Sequence, residues 1–225
     1  YSDKYDSVYR NRIIKIHKMS KSEHLMDNTL RLHTIMIMGN SRDTAFGEFL
    51  ITELGSTDEE FRIKSIEALG KLKYLAASND LKQFLSNKYS FLEKLAAVGA
   101  LGNIGNINSI PELIVLINQW PDHWVETDGP ELRWEAALAL LKLGYVDLKT
   151  EQIIQNLLTR SYYNSYSELD ENTINFVILK ILNIIDSIND IQLLTSFSQQ
   201  IEILSTDDPN LEIRNFSKKI YKYLN

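Results

Sequence analysis

The chain has 225 residues, 44% apolar and 24% charged, with a formal net charge of -6 and a pI near 5.3. This apolar content suffices for a packed core and excludes extended disorder, while the acid excess argues against general affinity for nucleic acid or anionic lipid, a local basic groove aside. With no cysteine and no uncharged apolar run of about 18 residues, disulfides, thiolate metal sites and a membrane-crossing helix in this chain are excluded.

Glycine and proline are scarce, 9 and 4, and fall mostly between apolar-periodic runs, which favours long helices over a many-turned β fold. Residues 1–18 read as one amphipathic helix with Tyr5, Val8, Tyr9, Ile13 and Ile16 on its apolar face. In the next segment Leu30-Arg31 leads to Met38-Gly39. A helix over about 58–73 follows, with Phe61, Ile63, Ile66, Leu69 and Leu72 as its stripe and Ala68 allowing close approach. Ser56 and Thr57 with Glu59 and Glu60 provide capping-box chemistry for its start. Its partner, about 75–86, carries Leu81, Phe84 and Leu85.

The third pair is the most regular. Phe91, Leu92, Leu95, Ala96, Val98, Ala100 and Leu101 make a helix apolar on most sides, ended by Gly102 and Gly105. Pro111 then opens a helix whose Ile110, Leu113, Ile114 and Ile117 face inward, since proline sits without cost in a first turn. Pro130 opens the fourth pair, with Leu132, Ala136, Ala137, Leu140 and Leu143 on one helix and Ile153, Ile154, Leu157 and Leu158 on the other. A fifth pair spans about 169–186 and 190–203, with Ile174, Val177, Ile178, Ile181 and Leu182 as core. A last helix follows Asp208-Pro209-Asn210.

Two landmarks keep one offset through this series. Arg31 to Arg62 and Gly39 to Gly70 are both 31 positions, and Arg62 to Lys94 and Gly70 to Gly102 are both 32. Lys94 to Arg133 is 39, so about seven residues are inserted near Trp120–Trp124. A fixed period in this range marks stacked helical repeats, each unable to bury its apolar face alone. The expected fold is all-α, an α-α superhelix of five to six helix pairs in one domain. Its repeats fall at 22–55, 56–88, 89–120, 128–163 and 168–203, with 1–20 and 208–225 as end caps.

Asp58-Glu59-Glu60-Phe61-Arg62 through Ala68-Leu69-Gly70, and Glu131-Leu132-Arg133 through Leu140, resemble HEAT repeats of the bacterial short type also found in phycobilin lyase-like proteins. The likeness covers about 28–160 well and 169–224 loosely. It implies that the first helix of each pair lies on the convex side and the second lines the concave side. It also implies that Arg31, Arg62, Lys94, Arg133 and Arg214 bond neighbouring acidic or carbonyl groups. A ladder for phosphate or carboxylate built on Arg62 and Arg133 is the alternative. Such motifs specify architecture and little chemistry.

The concave wall then comprises Glu48, Thr52, Lys82, Gln83, Glu112, Val115, Gln119, Gln152, Gln155, Asn156, Gln192 and Gln199, amide-rich and mixed in charge. The insertion with Trp120, His123 and Trp124 either binds a partner or folds back over a gap between repeats. Trp134, beside Arg133, reads as packing or a cation-stacking partner. Tyr162, Tyr163 and Tyr166 beside Arg160 form either an aromatic platform or a joint between repeats. None of His17, His24, His33 and His123 has metal-ligand spacing, and no nucleophile-elbow, P-loop or dinucleotide motif occurs.

The reading is a non-catalytic scaffold for a protein or peptide, without cofactor or metal, with Lys82, Gln83, Gln119, Trp120, His123, Trp124, Gln155, Arg160 and Tyr163 as binding residues. The alternatives are a HEAT-like DNA-binding or base-excision enzyme and an accessory lyase-type factor. The chain starts at Tyr1, which fits either a boundary or a processed product whose upstream segment held a signal or anchor. The address is left open by the sequence: cytoplasmic, or membrane-anchored or periplasmic if such a segment preceded it.

Overall fold

The computed structural model describes residues 2–22, 27–118, 130–165 and 169–224. All regular structure among them is helical. Two compact units divide the chain, Tyr1–Ser109 and Ile110–Asn225.

In the first unit, α1 (Ser2–Ser20) packs on α2 (Asn28–Asn40), α2 on α4 (Glu59–Leu72), and α4 on α6 (Phe91–Ile104). Helices α2, α4 and α6 each follow a capping residue whose side chain takes up an orphan backbone N–H. Asp27 accepts from Leu30, Asp58 from Glu60 and Ser90 from Glu93. The second helices of the pairs are shorter: a 3-10 turn at Thr44–Phe46 runs into α3 (Gly47–Glu53), and one at Leu75–Ala77 runs into α5 (Ser78–Gln83). The core is built from Ile35, Met38, Phe46, Leu50, Ile66, Leu69, Leu81 and Leu101, all fully buried.

The second unit contains α7 (Ile110–Asn118), α8 (Pro130–Lys142), α9 (Leu148–Leu157), α10 (Glu171–Ser187), α11 (Ile191–Leu194), α12 (Ser198–Asp207) and α13 (Leu211–Leu224). Here α7 packs on α8, α8 on α9, and α13 on both α12 and α10. Ile153, Ile154, Leu157 and Leu158 are buried as the periodicity requires, as are Ile174, Ile178, Ile181 and Leu182.

Several expectations need correction. The start of α4 is capped by Asp58 alone, with Ser56 Oγ accepting from the Asp58 N–H, and the reciprocal capping box belongs instead to Ser90 and Glu93 of α6. Gly102 does not end α6. It is buried inside the helix, and Gly105 at φ +82° makes the left-handed cap. Gly39 and Gly70 likewise sit within helices. A Cβ on Gly39 would lie 2.7 Å from Ala68 Cα, and one on Gly70 2.7 Å from Ala100 Cα. Gly39 and Gly70 therefore mark where one backbone touches the next. Leu92, expected in the core, is 57% exposed, and Phe91 and Ile110 are half-buried. On α1, Val8, Tyr9 and Ile16 face solvent, while Ile13, His17 and Ser20 form the buried line.

Candidate functional site

The recurring basic residue occupies the fourth position after each cap: Arg31 after Asp27, Arg62 after Asp58, Lys94 after Ser90 and Arg214 after Asn210. From there each side chain meets acceptors. Arg62 Nε donates to Glu93 Oε1 at 2.6 Å, and its Nη1 to the carbonyls of Ser56 and Thr57 at 2.8 and 3.0 Å. That guanidinium, with the Ser90 cap, holds the Glu93 carboxyl below its usual range against the opposing effect of burial. Lys94 donates to Asn87 Oδ1, and Arg214 to the Asp208 carbonyl. Arg62 and Lys94 thus bond the neighbouring repeat, as the HEAT resemblance implies, whereas Arg214 bonds within its own segment.

The most loaded of these nodes was not visible from the repeat alone. Glu53, 1% exposed at the end of α3, receives Arg31, Lys21 and His17 Nε2, the last at 3.1 Å. Arg31 also stacks on Phe61, 3.8 Å from ring centroid to guanidinium carbon. The Thr34 hydroxyl donates to the Arg31 carbonyl at 2.8 Å and meets His17 Nδ1 at 2.7 Å. Burial alone would raise the Glu53 pKa, but the His17, Lys21 and Arg31 donors outweigh it and bring it down to about 2. The only signal in the sequence was His17 lying four residues after Ile13 on an apolar-periodic helix.

Of the predicted wall in the first unit, Glu48, Thr52 and Gln83 are exposed. Glu48 accepts from the Tyr74 hydroxyl at 2.7 Å, and Lys82 is half-buried, donating to the Asn108 carbonyl at 2.5 Å. In two successive pairs, though not in the first, which opens on Thr44, the start of the second helix carries a large apolar residue open to solvent. Leu75 and Ile107 are 60% and 64% exposed, at the first position of successive 3-10 turns. Their separation of 32 repeats the offset of Arg62 to Lys94.

The second unit shows the same habit, with Leu148 directly after cap Asp147 and Ile191 directly after cap Asp190, 88% and 50% exposed. Val115, Gln152, Gln192 and Gln199 are exposed, and Glu112 and Asn156 half-buried. Gln155 is spoken for: its Nε2 donates to Glu151 Oε1 at 3.0 Å and to the Ser196 carbonyl at 2.9 Å. Tyr163 is withdrawn from the surface, 2% exposed, with its hydroxyl donating to the Leu157 carbonyl at 2.7 Å. Its ring meets Trp134 and Tyr162 edge-on at 6.2 and 5.8 Å, so Tyr163 is a packing residue. Tyr166, Gln119, Trp120, His123 and Trp124 lie outside the described residues.

Arg160 is the predicted site residue that the structure gives a cavity. Its fork closes on Asp208, Nε to Oδ2 at 2.7 Å and Nη2 to Oδ1 at 2.9 Å, while Nη1 reaches Glu171 at 2.9 Å and Nη2 reaches Asn175 at 2.5 Å. The fifth pair has Ile174 where the basic landmark belongs, and Arg160 delivers the missing guanidinium to the start of α10 from the preceding segment. The Asp208 and Glu171 carboxylates push the Arg160 pKa up further. Leu158, Ile203, Leu204 and Pro209 line the adjoining space of about 270 Å3 with Gln200 and Asp207. Among the described residues no cluster of three metal-ligating side chains occurs.

No protein-family model matches the chain, and comparison with curated proteins finds no match. Among solved structures it is similar to a chain in the complex of CpcE and CpcF of phycocyanin lyase from Nostoc sp. PCC7120. The two share 15% identity and superpose with a TM-score of 0.51 over 93% of each chain. The fold is an all-α, HEAT-like solenoid. At this identity the likeness carries architecture and no chemistry.

Proposed function

We propose that the protein is a non-catalytic scaffold, one repeat domain over 1–225, that binds a protein or peptide partner along the second helices of its pairs. The observation that carries this reading is the pair of exposed apolar residues in repeat register, Leu75 and Ile107, beside the exposed polar Gln83. Single exposed apolar side chains are ordinary on any surface, but a solvated face has no reason to repeat one at the period of the fold. The loop with Trp120, His123 and Trp124 belongs to the same proposal as a second contact.

The test places a photo-crosslinking residue at Leu75, at Ile107 and, as control, at exposed Glu60. One and the same partner is expected from the first two positions and none from the third. Adducts that do not distinguish the three, or none at all, would overturn the reading.

A second reading, an accessory lyase-type factor, is favoured by the solved neighbour belonging to a phycocyanin lyase complex. This role also requires a protein partner, but one that leaves the encounter covalently altered. Incubating the captured partner with this protein and weighing it by mass spectrometry separates the two. A mass change that needs this chain supports the accessory role, and an unchanged mass supports the scaffold.

A further inference from the structure

Helix α1 turns to solvent a side that the packing of the solenoid does not use. Val8, Tyr9, Ile16 and Met19 are exposed there, and Arg12 and Lys15 lie among them at the spacings of three, four and seven that mark one helix face. Arg12 and Lys15 meet no acceptor among the described residues, unlike Arg31, Arg62 and Arg160. Residues 7–22 contain no acidic side chain, and 2–22 carry six basic against two acidic residues in a chain of net charge -6. The helix is pinned from its other side, where Arg10 bonds Asp43 at 2.5 Å and His17 and Lys21 bond Glu53. Charge makes the occupant of the outer face anionic, and the position of Arg12 decides its class. A protein helix packed there would bury that guanidinium at the centre of the contact, where a charge is costly unless paired. At a lipid surface its stem lies along the apolar layer while its head stays among water and phosphates. A second copy stacked end on end is opposed by like charge, because the last helix, α13, exposes Lys218 and Lys222.

Independently of the partner-binding reading, we propose that the outer face of α1 docks the protein on an anionic membrane surface. Val8, Ile16 and Met19 enter the boundary between headgroups and acyl chains, Tyr9 sits at headgroup level, and Arg12 and Lys15 meet lipid phosphates. No helix among the described residues is long and apolar enough to cross a bilayer, so α1 lies in the plane of the interface. The acid excess elsewhere opposes this little, because physiological salt screens charges beyond about 8 Å.

The full chain has no cysteine, so a polarity-sensitive dye can be placed at Val8→Cys alone or, as control, at exposed Gln83→Cys. Vesicles of phosphatidylcholine with about a third phosphatidylserine, at about 0.1 M salt, should blue-shift the dye at position 8 and leave the control unmoved. Pure phosphatidylcholine should bind about tenfold more weakly or worse. Arg12→Gln with Lys15→Gln should weaken binding to the anionic vesicles about 25-fold, about fivefold for each cation. Ile16→Ser with Met19→Ser should weaken it about tenfold. All four positions are exposed, so the melting temperature should hold. No vesicle binding, equal binding to both lipids, or binding that survives the two serine substitutions, the mark of attraction to any polyanion, overturns the proposal. So does a protein captured from membrane-free lysate by a photo-crosslinker at Val8 and lost with Arg12→Gln and Lys15→Gln, which would assign the face to an acidic protein partner. None of these outcomes bears on the crosslinks at Leu75 and Ile107, by which the scaffold reading stands or falls.

Discussion

Glu53 stands in for a whole class of side chains that a repeat pattern does not display. It is a carboxylate 1% exposed with three donors upon it, so removing its charge leaves Arg31, Lys21 and His17 turned toward a neutral group. Breaking a buried pair from one side costs about 3–5 kcal/mol, more than the pair contributes over an apolar substitute. Glu53→Gln is therefore expected to lower stability by that amount at pH 7, read as a fall in urea midpoint with unchanged slope. The depressed pKa fixes the sign of the pH dependence. Stabilisation from the ionised form is complete above the usual carboxylate value of 4.5 and is lost as pH falls toward about 2. Wild type should thus lose stability between those limits and the variant should lose less; equal losses would show that the carboxylate is not the acid-sensitive group. The sequence announced Arg31 through its period but not Glu53, because Glu53 sits on a second helix whose spacing carries no landmark.

At the scale of the element, periodicity showed which helices exist and which faces are buried, and it fell short where a residue's role depends on the neighbouring helix. Gly102 read as a terminator because leucine-glycine often closes a helix, yet it lies within α6, and Gly39 and Gly70 at the matching repeat positions are points of backbone contact. The physical test is Gly70→Ala. Alanine gains about 1 kcal/mol of helix propensity over glycine, but its Cβ would meet Ala100 Cα at 2.7 Å, where backbone must move. Overpacking of that kind costs about 1–3 kcal/mol, so a net loss of melting temperature is expected, only partly restored by adding Ala100→Gly. A gain would mean that the helices separate freely. Leu101, fully buried on the facing helix, makes a sharper demand. Leu101→Asp places an unpaired charge in the core and should abolish cooperative unfolding of the first unit by circular dichroism. Leu92 shows the limit of the pattern from the other side. Its apolar character satisfied the period, but it lies in the first turn of α6, outside the packed stripe. Of the candidate site, Arg160 and the exposed amides were legible, whereas Gln200, Ile203 and Asp207 were not, since only the packing of α12 brings them to Arg160.

For the molecule as a whole, net charge and the fate of individual cations bear on one question, whether this is a nucleic-acid solenoid. A chain of net charge -6 could still carry a basic groove if its arginines stood free along one face. Three of them do not: Arg31 is bound to Glu53, Arg62 to Glu93 and Arg160 to Asp208 and Glu171. Each phosphate contact there would have to displace a carboxylate already at hydrogen-bonding distance, and the basic ladder considered for Arg62 loses its donors. A DNA-binding protein that neutralises several phosphates shows affinity falling steeply with salt, about 0.9 log units per tenfold change for each contact. Fluorescence anisotropy of a labelled duplex, titrated with the full chain at low salt and again at about 200 mM, is expected to show no saturable binding in either condition. A binding curve at low salt that weakens with a slope corresponding to several contacts would put the base-excision reading ahead of the scaffold. It would also require that the carboxylate partners of Arg62 and Arg160 give way on binding, which Glu93→Gln and Asp208→Asn should then mimic by raising affinity.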